Sequence, residues 1–342
     1  MLHPFIRYQA HPLNVNGPLI EAPLTKVKIG ELCEIYPNWQ DQTVLARAQV
    51  LGFKGNTTLM SLIGSVEGLS RNMVISPTGR PFMLSLSASL AGSVLNPSGK
   101  VAEKIGSYAA DTYPDEQRQI NAPPPRYDER VGISDPFITG VRAIDGLITC
   151  GKGQRMGIFA SAGCGKTTLM QMIINNADAD IFVIALIGER GREVTEFVEE
   201  VKNSEQRDKC IIVYATSDFS ALDRSNAALV AMTVAEYFRD QGLDVVFFLD
   251  SVTRYARALR DVALLAGEPP ARRGYPASVF ERLPALLERP GLTTSGSITA
   301  FFTILYEGDD ESDPIAEEIR SNSGWSYHFE PKTCGKKPLP RH

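Results

Sequence analysis

The residues with the clearest chemical content lie in one stretch, Ala160-Ser-Ala-Gly-Cys-Gly-Lys-Thr167. A glycine-rich loop that ends Gly-Lys-Thr, follows an apolar strand and opens a helix has the build of a phosphate cradle. Ala160 stands where the usual pattern has its first Gly; the remaining positions fit. Gly163 and Gly165 free backbone N–H groups to turn towards phosphate oxygens at the positive end of the following helix. Lys166 supplies a point charge to the β- and γ-phosphates, and the Thr167 hydroxyl can ligate Mg²⁺. The expected nucleotide contacts are Ser161, Ala162, Gly163, Cys164, Gly165, Lys166, Thr167 and Thr168. The competing reading is a tight strand–helix turn with a surface lysine, and the strand–loop–helix context weighs against it.

Two carboxylates fall where apolar strands end, the edge at which parallel sheets bind ligands. Asp250 ends Val245-Val-Phe-Phe-Leu249 and suits Mg²⁺ held through water, or alternatively a helix cap for the segment from Ser251. Glu189 follows Ile181–Gly188 and could orient and deprotonate a water for attack on a γ-phosphate. Arg190 and Arg192 are candidate phosphate contacts, or members of a solvated charge cluster at a helix start. All four histidines (3, 11, 328 and 342) lie near the termini, so no His-based catalysis is expected.

The elements that must position these residues form two textures. Residues 1–75 read as short β-strands with Gly punctuation, a small N-terminal β-barrel. Residues 76–130 carry the Pro run at 122–125 and read as a connecting segment. From 131 to 321, fully apolar strands alternate with helical patterns, which implies an α/β domain with a mainly parallel sheet covered on both faces. Helices are expected over Thr168–Ile174, Val194–Val201, Ala228–Arg239 and Tyr255–Ala266. Residues 322–342 are expected to be an aberrant, unstructured tail.

The 342 residues are 43% hydrophobic and 22% charged, the balance of a folded globular chain. Lys+Arg 35 against Asp+Glu 40 gives a net charge of −5, which argues against a dedicated nucleic-acid surface. The five cysteines include no CxxC and no His–Cys cluster, so no zinc site is suggested. The longest apolar run, Ile181–Ile187, is far below the ~20 residues that span a bilayer. With no signal pattern at the start, the expected location is cytoplasmic.

The chain resembles a type III secretion system ATPase, a family related to the flagellar export ATPase and the catalytic subunits of rotary ATP synthases. The stretches that carry the resemblance are Gly140-Val-Arg-Ala-Ile-Asp-Gly146, Ser161–Thr167, Ile187-Gly-Glu-Arg-Gly-Arg-Glu-Val194, Tyr237-Phe-Arg-Asp-Gln241, Asp250-Ser-Val-Thr-Arg-Tyr-Ala-Arg257 and Arg273-Gly-Tyr-Pro-Ala-Ser-Val-Phe280. It implies a RecA-like P-loop domain behind the β-barrel, with ATP and Mg²⁺ as cofactors, in a homohexamer with ATP at subunit boundaries. Lys166 and Thr167 match the family's phosphate and Mg²⁺ ligands, Glu189 its catalytic base, Arg190 a γ-phosphate contact and Asp250 its Walker B acid. The implied partners are stalk and stator-like subunits and chaperone–substrate complexes, with peripheral association at the cytosolic face of the inner membrane and no nucleic acid. The implied work is chaperone release, substrate unfolding and protein export. The resemblance runs to Ser321, after which the family's arginine finger and C-terminal helical domain are not recognised. The chain is therefore expected to be an impaired, truncated form. The alternatives are a rotary-synthase-type or RNA-translocase ATPase, or a non-catalytic nucleotide-binding remnant.

Overall fold

The computed structural model describes residues 8–65, 67–107, 113–161, 163–305, 314–322 and 325–329. The first unit is a six-stranded antiparallel sheet of β1 (Asn14–Asn16), β2 (Leu19–Ala22), β3 (Glu31–Tyr36), β4 (Ala46–Lys54), β5 (Thr57–Ile63) and β6 (Val74–Pro81), in the order β1-β2-β5-β4-β3-β6. Ala10, just ahead of β1, exchanges backbone hydrogen bonds with Ile75 of β6 at 3.0 and 2.8 Å. The two margins of the sheet thus meet, which removes open edges and gives the expected barrel. Alternate residues such as Cys33 and Ile35 of β3 point inward onto Ile20, Val50, Met60 and Leu62.

The segment 76–130, expected to be a connection only, carries structure of its own. β6 runs on to Pro81, and β7 (Met83–Leu86) pairs antiparallel with β10 (Glu116–Gln119). Between them, β8 (Ser93–Leu95) joins the main sheet beside a later strand, with β9 (Val101–Lys104) at its edge. These strands escape a pattern reading because they are short, and β9 is exposed throughout with no apolar alternation to read.

The second unit opens with the short pair β11 (Pro136–Phe137) and β12 (Cys150–Gly151), which brackets α1 (Arg142–Leu147). It continues as β13 (Arg155–Ala160), α2 (Lys166–Asn176), β14 (Ile181–Ile187), α3 (Gly191–Lys202), β15 (Cys210–Ala215), α4 (Ala221–Asp240), β16 (Asp244–Asp250), α5 (Val252–Leu265), α6 (Ala277–Leu287), β17 (Gly291–Leu292), β18 (Ser297–Leu305), α7 (Pro314–Asn322) and β19 (Trp325–Phe329). The sheet order is β19-β13-β18-β16-β14-β15-β8-β9, with β17 paired to β18. All pairings from β19 through β8 along this path are parallel. Every residue of β14 is buried, as a strand covered on both faces requires.

One face of the sheet packs on α1, α2 and α3, the other on α4, α5, α6 and α7. The expected helix face Val194, Phe197, Val198 and Val201 is the buried face of α3. Each such side chain contributes about 1.5–3 kcal/mol on burial. α4 starts seven residues ahead of Ala228, because the Ser220 hydroxyl accepts from the Asp223 backbone N–H at 3.1 Å and caps it there. A buried ion pair fastens the layers: the Arg289 guanidinium donates to both Glu236 oxygens of α4, to Thr233 and to the Ile120 carbonyl of the connecting segment.

The expectation of an unstructured tail from 322 is corrected in part: β19 pairs parallel with β13, Met156 opposite Trp325 through Ala160 opposite Phe329. The aromatic residues at 325, 327 and 329 recur at the period of a strand and are strong β-formers, a signal available in the sequence. Residues 330–342 lie outside the described residues. Among the described residues, no helix is long and apolar enough to cross a membrane.

Candidate active site

β13 delivers the phosphate-binding loop and α2 carries it away. Gly163 and Gly165 adopt φ of 76° and 82°, a left-handed conformation that L side chains resist, and Gly165 is the residue that caps α2. This is why the loop needs glycine there. Ser161 and Cys164 are half-buried, Gly163, Gly165, Thr167 and Thr168 are exposed, and Lys166 is buried; Ala162 lies outside the described residues. Burial lowers the Lys166 ammonium's pKa below its ordinary value, against the pull of the Asp250 and Glu189 carboxylates.

The strand order sets β18 between β13 and β16, so the loop and Asp250 stand at strand ends on either side of β18, at the same edge of the sheet. Asp250 is 6% exposed, and Thr303 of β18 donates its hydroxyl to Oδ1 at 2.5 Å. Ser251, not Asp250, caps α5, which sets aside the capping alternative for the carboxylate. Oδ2 has no hydrogen-bond partner among the described residues and stays available.

Glu189 follows β14 at a sharp turn. Gly188 has φ of 71°, and a Cβ there would meet the Arg254 side chain at 3.0 Å, so both the turn and the arginine's path require glycine. Arg254, from the first turn of α5, donates to the Gly188 carbonyl and pairs with Glu189 Oε2 at 2.7 Å. Burial, the nearby Asp250 charge and a hydrogen bond with Glu193 push the Glu189 carboxyl up to about 8, and Arg254 only partly offsets them. Glu193 is correspondingly held below its ordinary value, first by that same hydrogen bond.

Thr167, Thr168, Glu189, Glu193 and Asp250 line one cavity of about 310 Å³ between α2 and α3. Arg190 is not brought into that lining; its side chain is 81% exposed and pairs with Glu193 at 3.4 Å. Arg192 pairs outward with Glu196 at 2.7 Å. Sequence reasoning missed the roles of Arg254 and Thr303. Arg254 lies four residues after Asp250 at a helix start, a position from which a side chain leans back over the strand ends. Thr303 shows as a hydroxyl inside the otherwise apolar run Ala300–Leu305. The donor set suits a nucleotide with Mg²⁺: one hydroxyl and one half-free carboxylate are few protein ligands, as an ion that keeps waters and shares phosphate oxygens needs. Among the described residues no cluster of three or more metal-ligating side chains competes with that assignment.

Fold and site together define a P-loop ATPase with an N-terminal barrel. Residues 140–340 match the nucleotide-binding domain of the ATP synthase alpha/beta family, and residues 13–79 match that family's beta-barrel domain. The nucleotide-domain match therefore continues past Ser321, where the sequence resemblance was expected to stop. The SPI-1 type 3 secretion system ATPase of Salmonella typhi is 57% identical over 335 residues, 98% of this chain and 77% of that protein. The type 3 secretion system ATPase of Xanthomonas euvesicatoria is 48% identical over 90% of this chain and 68% of its own length. The solved structure of assembled EscN in complex with its central stalk EscO, from the type III secretion system of enteropathogenic E. coli, superposes with a TM-score of 0.84 at 42% identity, covering 97% of this chain and 78% of that one. The chain belongs to the ATP synthase alpha/beta family, among its type III secretion system ATPases.

Proposed function

We propose that this chain binds Mg²⁺-ATP at the loop 161–168 and hydrolyses it to drive type III protein export. The observation that carries this reading is that Thr167, Glu189 and Asp250, from three different strand ends, line a single cavity beside a buried lysine. Lys166 and the loop N–H groups bind the phosphates, with the α2 dipole reinforcing them. Thr167 and the free oxygen of Asp250 would hold Mg²⁺, the latter through water, and the ion would supply positive charge against the phosphates. Thr303 orients Asp250. In its ionised form Glu189 positions the attacking water and takes its proton, and Arg254, whose charge favours that form, aims the carboxylate. Arg190, paired with the cavity residue Glu193, contacts the γ-phosphate by turning from it.

Assembled EscN and its stalk complex support a homo-oligomer with a central-stalk partner, and the oligomer proposed is a hexamer. Stator-like subunits, chaperone–substrate complexes and peripheral attachment to the inner membrane complete the proposed setting, in the cytoplasm. Replacing Lys166 with Ala tests the binding half of the reading. Affinity for a fluorescent ATP analogue should fall at least tenfold, because a desolvated polyphosphate loses a charge-assisted hydrogen bond; unchanged binding would refute it.

A further inference from the structure

On the side of α5 away from the nucleotide, the barrel, the connecting segment, α4, α5 and α6 enclose a second cavity of about 170 Å³. A void of that order holds a benzene-sized molecule. Its walls are mostly apolar, with Leu51, Leu229, Leu259 and Leu286 among them. Gln49, Asn121, Ser225 and Asn226 add polar wall, and two further side chains, Tyr255 and Arg282, distinguish it from a packing gap. Tyr255 is 1% exposed and lines the cavity, and its hydroxyl has no hydrogen-bond partner among the described residues. A hydroxyl without a protein partner at a cavity wall is free to donate to a bound acceptor. Arg282, exposed at the mouth, has no carboxylate partner among the described residues. Arg289 also lines the cavity, but Glu236 neutralises it, and no carboxylate is in the lining. Burial holds the phenol at about 12, against the pull of both arginines, so it stays a neutral donor.

We propose that this cavity binds a small carboxylate with a compact apolar body, its head held by Tyr255 and Arg282 and its body against the leucines. The site is placed to act on turnover. Tyr255 directly follows Arg254, whose guanidinium holds Glu189 at 2.7 Å, so a ligand that fixes the first turn of α5 on one side fixes the catalytic carboxylate on the other. That coupling rests on the hydrolytic reading of Glu189; the binding site does not.

The test is calorimetry on the full chain with benzoate as probe and benzamide as its uncharged match. Benzoate should bind saturably at one site and benzamide about tenfold more weakly or worse, since only the former makes charge-assisted contacts. Arg282→Gln should weaken benzoate about tenfold. Tyr255→Phe should weaken it severalfold while folding normally, because it removes only an unpartnered hydroxyl. Absence of saturable benzoate binding, or equal affinity in both variants and the unaltered chain, would overturn the site. In parallel, benzoate should change ATP turnover of the unaltered chain and leave Arg282→Gln unaffected; binding without any change in turnover overturns the coupling alone. A chain that binds benzoate through Arg282 but hydrolyses no ATP would support this site and count against the reading of the nucleotide centre.

Discussion

At the scale of single residues, the site's character comes from crowding carboxylates into a buried space. Glu189 carries a carboxyl at about 8 against an ordinary 4.5, chiefly because burial disfavours its charge. Between those values the folded, nucleotide-free chain holds a proton on Glu189 that the unfolded chain has lost. The stabilisation is complete below 4.5 and is lost as pH rises through about 8. Glu189→Gln removes that dependence, so its thermal midpoint should gain on that of the unaltered chain across the window; parallel midpoints would show that Glu189 is not perturbed. On the proposed reading Thr303 acts through Asp250, to which it donates its hydroxyl. Thr303→Val should raise the Mg²⁺ concentration for half-maximal turnover about tenfold, the usual scale for an outer-shell partner, and Thr303→Ser should restore it. A fall in turnover with the Mg²⁺ requirement unmoved would make Thr303 structural. Lys166, Thr167, Glu189 and Asp250 could be proposed from the sequence because loop spacing and strand ends constrain them locally, and the last three line one cavity. Arg254 and Thr303 were not, since each earns its place through a neighbour brought in by the fold.

At the scale of elements, hydrophobic pattern read well where a strand or helix is long and one-sided, and poorly where it is short. α3 and β14 announce themselves by four spaced apolar residues and by an unbroken apolar run. The strands β7, β8 and β10 do not, because pairing partners distant in the chain, rather than local pattern, make them strands, and β9, paired with adjacent β8, is exposed throughout. β19 is the instructive case: Trp325, Tyr327 and Phe329 alternate, and the strand extends the sheet beside β13, directly under the phosphate loop. In an edge strand alternate N–H groups face the neighbour, so of Ser326→Pro and Tyr327→Pro one should break the ladder and the other be tolerated. Amide exchange across Met156–Ala160 should quicken in one variant only. No change in either would mean that β19 does not hold β13.

At the scale of the whole molecule, the barrel, the connecting segment and the nucleotide domain are joined by polar ties as well as apolar packing. The Gly64 N–H donates to buried Asp223 at 3.0 Å, Asn226 donates to Gln49 at 3.4 Å, and Arg289 gathers α4 and the connecting segment around one guanidinium. These long-range ties, like the insertion of β8 into the main sheet, have no local signature in the sequence. They tie the barrel and the connecting segment to α4 of the nucleotide domain. The central claim is that this chain hydrolyses ATP through Glu189. It is tested most directly by measuring Mg²⁺-dependent ATP turnover and nucleotide binding on the same preparations of the unaltered chain and Glu189→Gln. The account predicts turnover in the unaltered chain that rises with protein concentration as subunits assemble. In Glu189→Gln it predicts unchanged nucleotide affinity with turnover lower by about 10²–10⁴, the range of a general base. Turnover that survives in Glu189→Gln, or nucleotide binding that disappears with it, would contradict the account.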